Sequence, residues 1–466
     1  MSFKQSNNMK RVFFLILLFS KLGVAFAQSD FNLEQAVQYA VKHSNQLALQ
    51  KLNLTDAEGQ IKEYYAIGMP KLNAKVSYNY FIDVPTSILP DFISPSIYGI
   101  LFKENLLPAR DINFGSGVPV QFGTKNNLSA SLEFNTLLFD GSFIVGLKAQ
   151  QMYKDLLIKQ VNQSEAEVRY QVSKAYMSAL VLEETQKTLN KNKSNLEKVF
   201  QELTEINKAG FIEKLDVDRI ELSLQLLNTE LDKLNRLSEV TKNVLKFQMN
   251  YPVDQSINLT EQLNDLIQKS YVDLLDSNLK LSVKNRPEFQ VIDQGRLLAE
   301  INVKRYKVSY FPSLFGFASH QQSLLRNNLF DSKDNKWFPT TVVGLGMNAP
   351  IFDGFDRKAK IARAKVLLDK TNIQMSEFER GVELEYLNAK TQYLNALNSL
   401  ESGKKSLALA ERIYETSKIK FREGVGSSIE ITQSERDVYQ AQAKLTEAQF
   451  AVINAKIDLD KALGKL

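Results

Sequence analysis

Reactive side chains are few in this sequence. The only two histidines, His43 and His320, fall in different expected elements. No cysteine is present, which excludes a thiolate nucleophile, a thiolate zinc site, an iron–sulfur cluster, a disulfide framework and a lipid-modified N-terminal cysteine. Without cysteine no metal-ligand spacing can be drawn. No phosphate loop occurs, because Gly344 and Gly346 sit in a strand pattern. No Gly-x-Ser-x-Gly elbow supports a serine nucleophile. Glu430 reads as an acid near a helix N-terminus, where a carboxylate complements the helix dipole. These residues assemble no catalytic centre, cofactor site or energy-coupling device. The elements that carry them are more informative.

The chain has 466 residues, 44% hydrophobic and 24% charged, too many for one ordinary core and too apolar for disorder. Lys10 and Arg11 precede an unbroken apolar run from Val12 to Phe19, and Ala25-Phe26-Ala27 follows as a small-x-small cleavage signal. That order is the signature of a secretory signal peptide over residues 1–27, with Gln28 opening the mature chain. A buried N-terminal helix is the alternative; Lys21 interrupts the apolar tail. Four of the 58 basic residues (Lys4, Lys10, Arg11, Lys21) lie there, which leaves 54 against 53 acidic. The net charge of +5, and with it any nucleic-acid partner, is mostly a property of the signal. No later stretch is apolar for long enough to be a transmembrane helix.

Six prolines lie between Pro70 and Pro119, none between Pro119 and Pro252, and none after Pro350. Glycine and proline are both absent between Gly146 and Gly210. Both residues break helices, so one helix is expected from Ser142 to Ala209. At 1.5 Å per residue it is about 100 Å long, which implies a coiled coil or helical tube. Leu182, Leu189, Leu196 and Leu203 recur every seven residues. Ile220, Leu224, Leu227, Leu231 and Leu234 alternate spacings of four and three. Val438, Ala441, Leu445, Ala448, Val452, Ala455, Leu459 and Ala462 continue that pattern, which keeps one seam against a neighbour.

Two regions have period two. Leu72, Ala74, Val76, Tyr78 and Tyr80 alternate with Asn73, Lys75, Ser77 and Asn79. Leu128, Ala130, Leu132 and Phe134 alternate with Ser129, Ser131 and Glu133. These are strands with one apolar and one polar face. Phe315 and Phe317, then Val343, Leu345 and Met347, mark two weaker strands near 313–321 and 340–351. Irregular loops are expected at 82–126 and at 322–339, the latter carrying Trp337.

The chain is a duplication. Leu138-Phe139-Asp140-Gly141 resembles Ile351-Phe352-Asp353-Gly354, and Lys208-Ala209-Gly210-Phe211 resembles Arg422-Glu423-Gly424-Val425. The first repeat spans 28–250, with a β-hairpin at 71–138 and a helical hairpin at 142–248. A linker covers 251–270. The second repeat spans 271–466, with a β-hairpin at 312–352 and a helical hairpin at 355–463. Four strands cannot close a barrel, and open edges are not tolerated in lipid. If the strands enter a membrane, several chains share one barrel; the alternative is a soluble β-cap on a helical protein.

The Phe-Asp-Gly corners, the Asn285-Arg286-Pro287-Glu288 segment and the turn Phe421-Arg422-Glu423-Gly424-Val425 before Ser428-Ile429-Glu430 make the chain resemble a TolC-like outer-membrane efflux protein, over about 31–466. The resemblance implies a mainly α fold with a small β part: four membrane strands and long coiled-coil helices per chain, assembled as a homotrimeric α/β-barrel. It implies an outer-membrane channel reaching into the periplasm, with a periplasmic adaptor, an inner-membrane transporter and outer-membrane lipid as partners, and no cofactor. Val76, Tyr78, Tyr80, Leu132 and Phe134 would face lipid. Gly210, Phe211, Gly424, Val425 and Gly426 would form the periplasmic tip and meet the adaptor. Glu430 matches the first acid of the family's pore constriction and Asp216 is its counterpart in the first repeat. Gln433 stands where a second acid is usual, so a cation filter there would be weaker. A periplasmic coiled-coil adaptor or scaffold is the competing reading; an exported hydrolase with a helical arm is a third.

Overall fold

The computed structural model describes residues 29–91, 93–112, 117–274, 281–330 and 336–466. Residues 1–28, which include the expected signal peptide 1–27, lie outside them, as do parts of both long loops. The described elements run β1 Ser29–Phe31, α1 Leu33–His43, α2 Asn45–Gly68, β2 Lys71–Tyr80, β3 Thr86–Leu89, α3 Ile93–Lys103, β4 Val118–Gln121, β5 Asn126–Phe139, α4 Gly141–Lys208 and α5 Lys214–Met249. They continue with β6 Ile257–Leu259, α6 Leu263–Leu274, a short 3₁₀ turn Val283–Asn285, α7 Pro287–Val308, β7 Ser313–Arg326, β8 Trp337–Asn348, α8 Asp356–Arg422 and α9 Ser428–Leu463. The fold is mainly helical with a small β part, and each half repeats strand, loop, strand, very long helix, glycine turn, long helix.

Two compact units emerge. One holds residues up to 58 together with 152–299 and 366–466. Its core takes Val172, Tyr176 and Leu180 from α4, Leu245 and Met249 from α5, Tyr393 and Leu400 from α8, and Val452, Ala455, Leu459 and Ala462 from α9. The heptad seam read from the sequence is therefore a buried face; of its eight members only Leu445 is partly exposed. Tyr176 donates its hydroxyl to the Phe31 carbonyl at 2.9 Å. That bond anchors a short parallel pair, β1 with β6, which no local pattern announces. The expected linker 251–270 thus contains a strand and the start of α6. A second cluster packs Leu196 and Leu203 of α4 against Val217, Ile220, Leu227 and Leu231 of α5.

The other unit holds residues 59–151 and 300–365. Its centre is a four-stranded antiparallel sheet in the order β2-β5-β7-β8. The expected irregular loop 82–126 is partly ordered: β3 and β4 pair as a hairpin and enclose α3. Trp337 opens β8 rather than sitting in a loop, because its backbone pairs with Leu324. Among the described residues no helix is long and apolar enough to cross a membrane.

Candidate functional site

Register decides what each face of the sheet carries, since residues directly opposite on neighbouring strands project to the same side. One row joins Tyr78, Leu128, Leu324 and Trp337. The next join Val76, Ala130, Gln322 and Pro339, then Ala74, Leu132, His320 and Thr341, then Leu72, Phe134, Ala318 and Val343. This face is apolar and open: Val76, Leu132, Leu345 and Met347 are exposed, and Val343 is 78% exposed. Its few polar groups satisfy one another, as His320 Nδ1 lies 2.8 Å from Thr341 Oγ1. Tyr78 and Trp337 set aromatics at one level on both edge strands. Phe352 and Phe355, 5.5 Å apart, stand exposed at the corner after β8.

The opposite face joins Lys75, Ser131, Gln321 and Thr340, with Asn73, Glu133, Ser319 and Val342 on one side and Ser77, Ser129, Ser323 and Phe338 on the other. Ser77 and Ser129 share a 2.8 Å hydrogen bond across it. The sheet is thus apolar on one side and largely polar on the other, with β2 and β8 as edges that pair with no further strand among the described residues.

The Phe-Asp-Gly corners are helix starts. Asp140 Oδ1 accepts from the Phe143 amide at 3.0 Å and the Ser142 hydroxyl at 2.6 Å, capping α4. Asp353 Oδ2 accepts from the Arg357 amide at 3.2 Å and does the same for α8.

At the far ends of the long helices two turns reverse the chain. Gly210 and Gly424 have φ of 80° and 73°, the left-handed C-cap conformation that a side chain resists. They aim Phe211, 83% exposed, and Val425 into solvent, with Gly426 half-buried behind. Asp216 and Glu430 both occupy first turns, of α5 and α9. Their surroundings differ. Glu430 is exposed, with its amide capped by the Ser427 hydroxyl at 3.3 Å. Asp216 is half-buried, accepts from the Ser428 hydroxyl and faces Arg219 at 3.7 Å. The two repeats are stitched at this point, through Asp216 and Ser428. Gln433 is exposed and donates to Asp437 at 3.1 Å.

Two features escaped the sequence reading. Arg422 of α8 forks onto Glu202 of α4; long-range partnership leaves no local signal. Glu435 of α9 is a carboxylic acid only 3% exposed, hydrogen-bonded to the Tyr439 hydroxyl at 2.7 Å, and burial pushes its pKa up to about 7. A signal existed, because Glu435 falls on the inward stripe Ile431, Val438, Ala441 where an apolar residue is expected. Among the described residues no group of three or more acids or histidines could hold a metal ion.

Residues 278–465 match the family model described as "Outer membrane efflux protein". The "Solvent efflux pump outer membrane protein SrpC" of Pseudomonas putida is 24% identical over 192 residues, 39% of this chain and 38% of that protein. The "Pyoverdine export outer membrane protein OpmQ" of Pseudomonas aeruginosa is 22% identical over 302 residues, 63% of this chain and 60% of that protein. The chain thus spans about two-fifths to three-fifths of the length of these curated relatives. Among solved structures, CusC covers 93% of this chain with 92% of its own length, at a TM-score of 0.72 and 13% identity. VceC of Vibrio cholerae covers 93% with 96% of its own length, at 0.68 and 15%. The fold is that of these TolC-like proteins, and the resemblance read from the corners and turns is borne out.

Proposed function

We propose that this chain, TolC-like in fold and matching the outer-membrane efflux family over residues 278–465, is the outer-membrane channel of a tripartite efflux or secretion system. It gives passive exit to cargo delivered by a periplasmic adaptor and an inner-membrane pump, and it catalyses no reaction. The observation that carries this reading is the sheet. Its open apolar face and its two edges, unpaired among the described residues, are incompatible with a finished soluble domain and with a lone membrane sheet. Closure with copies of itself removes both liabilities. Three chains supply twelve strands, with lipid on the face of Val76, Tyr78, Tyr80, Leu132 and Phe134 and water on the face of Lys75 and Gln321. Helices of 67 and 68 residues, on the order of 100 Å each, carry the conduit into the periplasm. The turns at Gly210–Phe211 and Gly424–Gly426 form the tip that meets the adaptor, and Glu430 lines the narrow end.

The relatives are named for solvents, pyoverdine and proteases, so small amphiphiles and polypeptides are both within the class of cargo. The deciding experiment is single-channel recording of the purified protein in planar bilayers, alongside membrane fractionation. Discrete conductance and outer-membrane recovery are expected. Recovery only in the soluble periplasm, with no conductance, would favour the scaffold reading instead.

A further inference from the structure

The polar face of the sheet carries apolar side chains at three levels: Phe338 beside Ser323, Val342 beside Ser319, and the pair Phe315 and Phe317. Phe317 stands opposite Asn135 and Gly344, and Phe315 opposite Leu137 and Gly346. Both rings therefore project on the side of Lys75, Glu133, Ser131 and Gln321. Their centroids are 6.4 Å apart, and Phe315 is 40% exposed. Each ring lies across a glycine of β8. A Cβ on Gly344 would stand 2.5 Å from Phe317 Cζ, and one on Gly346 2.2 Å from Phe315 Cζ. Two glycines inside a strand weaken it, since they offer no side chain and cost backbone entropy. Here they are what lets two aromatic rings lie flat on the wet face, at the strand ends that join the helices.

On a face built to contact water, half-exposed phenyl rings are unfavourable unless something apolar visits them. They are suited to do so, because a ring lying flat offers its π face to aromatic and cationic groups. Resting on the channel reading above, we infer that Phe315 and Phe317 form an aromatic belt inside the barrel that transiently binds the apolar, aromatic part of small organic cargo. Lys75, Ser131, Gln321 and Thr340 keep the adjoining level wet, and the single Val342 and Phe338 of the neighbouring rows lack the paired rings of this one. Cargo carrying an aromatic group then dwells at this level, while hydrated ions pass it.

The test is block of single-channel current in planar bilayers by tetraphenylphosphonium, with tetraethylammonium as the non-aromatic control of equal charge. In the unmodified protein tetraphenylphosphonium should block at markedly lower concentration. In the Phe315→Ser/Phe317→Ser protein that difference should shrink about fivefold, with conductance kept or raised. A Phe315→Leu/Phe317→Leu protein keeps apolar bulk over the glycines and removes the π faces; it should lose about threefold of the difference and covers a failure of the serine pair to fold. Conducting channels that show no preference for the aromatic cation, or equal preference in a phenylalanine-substituted protein, would overturn the belt while leaving the channel intact. Absence of any conductance in the unmodified protein would overturn both.

Discussion

Arg422 grips Glu202 through two parallel hydrogen bonds, Nε to Oε1 and Nη2 to Oε2, each 3.2 Å. The fork joins the last turn of α8 to α4, one long helix from each repeat, just short of the glycine turns. Both side chains are exposed, so the pair adds little to folding stability. Its value is geometric, because a bidentate contact fixes the relative position of two helix ends. Glu202→Gln or Arg422→Gln is expected to leave urea unfolding nearly unchanged while loosening the helix ends beside the glycine turns. In bilayer recordings this appears as larger or longer openings. The swapped protein, Glu202→Arg/Arg422→Glu, should recover the gating of the unmodified protein. Raising salt from about 0.1 to 1 M should reproduce part of the loosening in the unmodified protein. Identical gating in all four would show that the fork does not fix these helix ends.

Glu435 makes stability depend on pH. Its ordinary pKa is 4.5, and burial beside Tyr414 and Tyr439 raises it to about 7. Between those values the folded chain holds a proton that the unfolded chain has released. Stability therefore falls as pH rises from about 4.5 to 7, and the penalty is complete above 7. The full shift corresponds to at most about 3 kcal/mol. Glu435→Gln keeps the shape and removes the charge. It should raise stability at pH 8 and flatten the slope between pH 5 and 7, measured by urea unfolding in detergent. An unchanged pH slope would mean that Glu435 is not the titrating group.

Arg286 is held differently. It is 3% exposed, donates Nη1 to Glu385 at 2.6 Å, and reaches Glu288 with Nη2 at 3.3 Å. Its guanidinium also lies 5.8 Å from the Phe378 ring. Burial alone would disfavour the charge, yet the two carboxylates together hold its pKa above the ordinary value. Removing a buried ionic partner leaves the others uncompensated. Arg286→Ala should cost about 1 to 3 kcal/mol in urea unfolding, since water can reach the two carboxylates it leaves, and Arg286→Lys should recover only part, because an ammonium cannot fork to two acids and a ring. Wild-type stability for the lysine protein would reduce the contact to simple charge pairing.

These residues also mark how far the sequence could be read. The Val438–Ala462 seam and the Leu72–Tyr80 alternation were legible, because burial on one helix or sheet face imposes a period on neighbouring residues. Arg286 stood out as part of the Asn285–Glu288 segment, but its partner Glu385 lies 99 residues away. The β1–β6 pair was invisible for the same reason: three-residue strands 228 positions apart have no periodicity to show. The Phe-Asp-Gly corners looked equivalent and are not. Gly141 is already helical, whereas Gly354 and Phe355 adopt φ of 62° and 68° before α8 begins at Asp356. Asp216 and Glu430, read as counterparts in the two repeats, both stand in first turns. The repeat could not say that Ser428 and Arg219 would engage one of them and leave the other exposed.

Gly346 and Phe315 supply the most direct test of the sheet's register. The pair was read as a glycine inside a strand and an aromatic strand former, with nothing to connect them. In the structure a Cβ at position 346 collides with the ring at 2.2 Å, so Gly346→Ala must push the ring off the sheet. Overpacking of that kind costs about 1 to 3 kcal/mol. The cost belongs to the pair and not to the backbone, because Gly346 is extended and any residue can adopt its conformation. With Phe315→Ala as the background, Gly346→Ala should therefore be neutral or stabilising by up to about 1 kcal/mol, since alanine orders the strand at lower entropic cost. The difference between the two backgrounds is a coupling energy that only neighbouring side chains produce. Gly344 with Phe317 should behave alike, whereas Gly316, whose built Cβ meets nothing closer than 3.4 Å, should show no such coupling to Phe315. Additive effects at 346 and 315 would mean that β7 and β8 are paired in another register, and the assignment of the two rings to the wet face would fall with it.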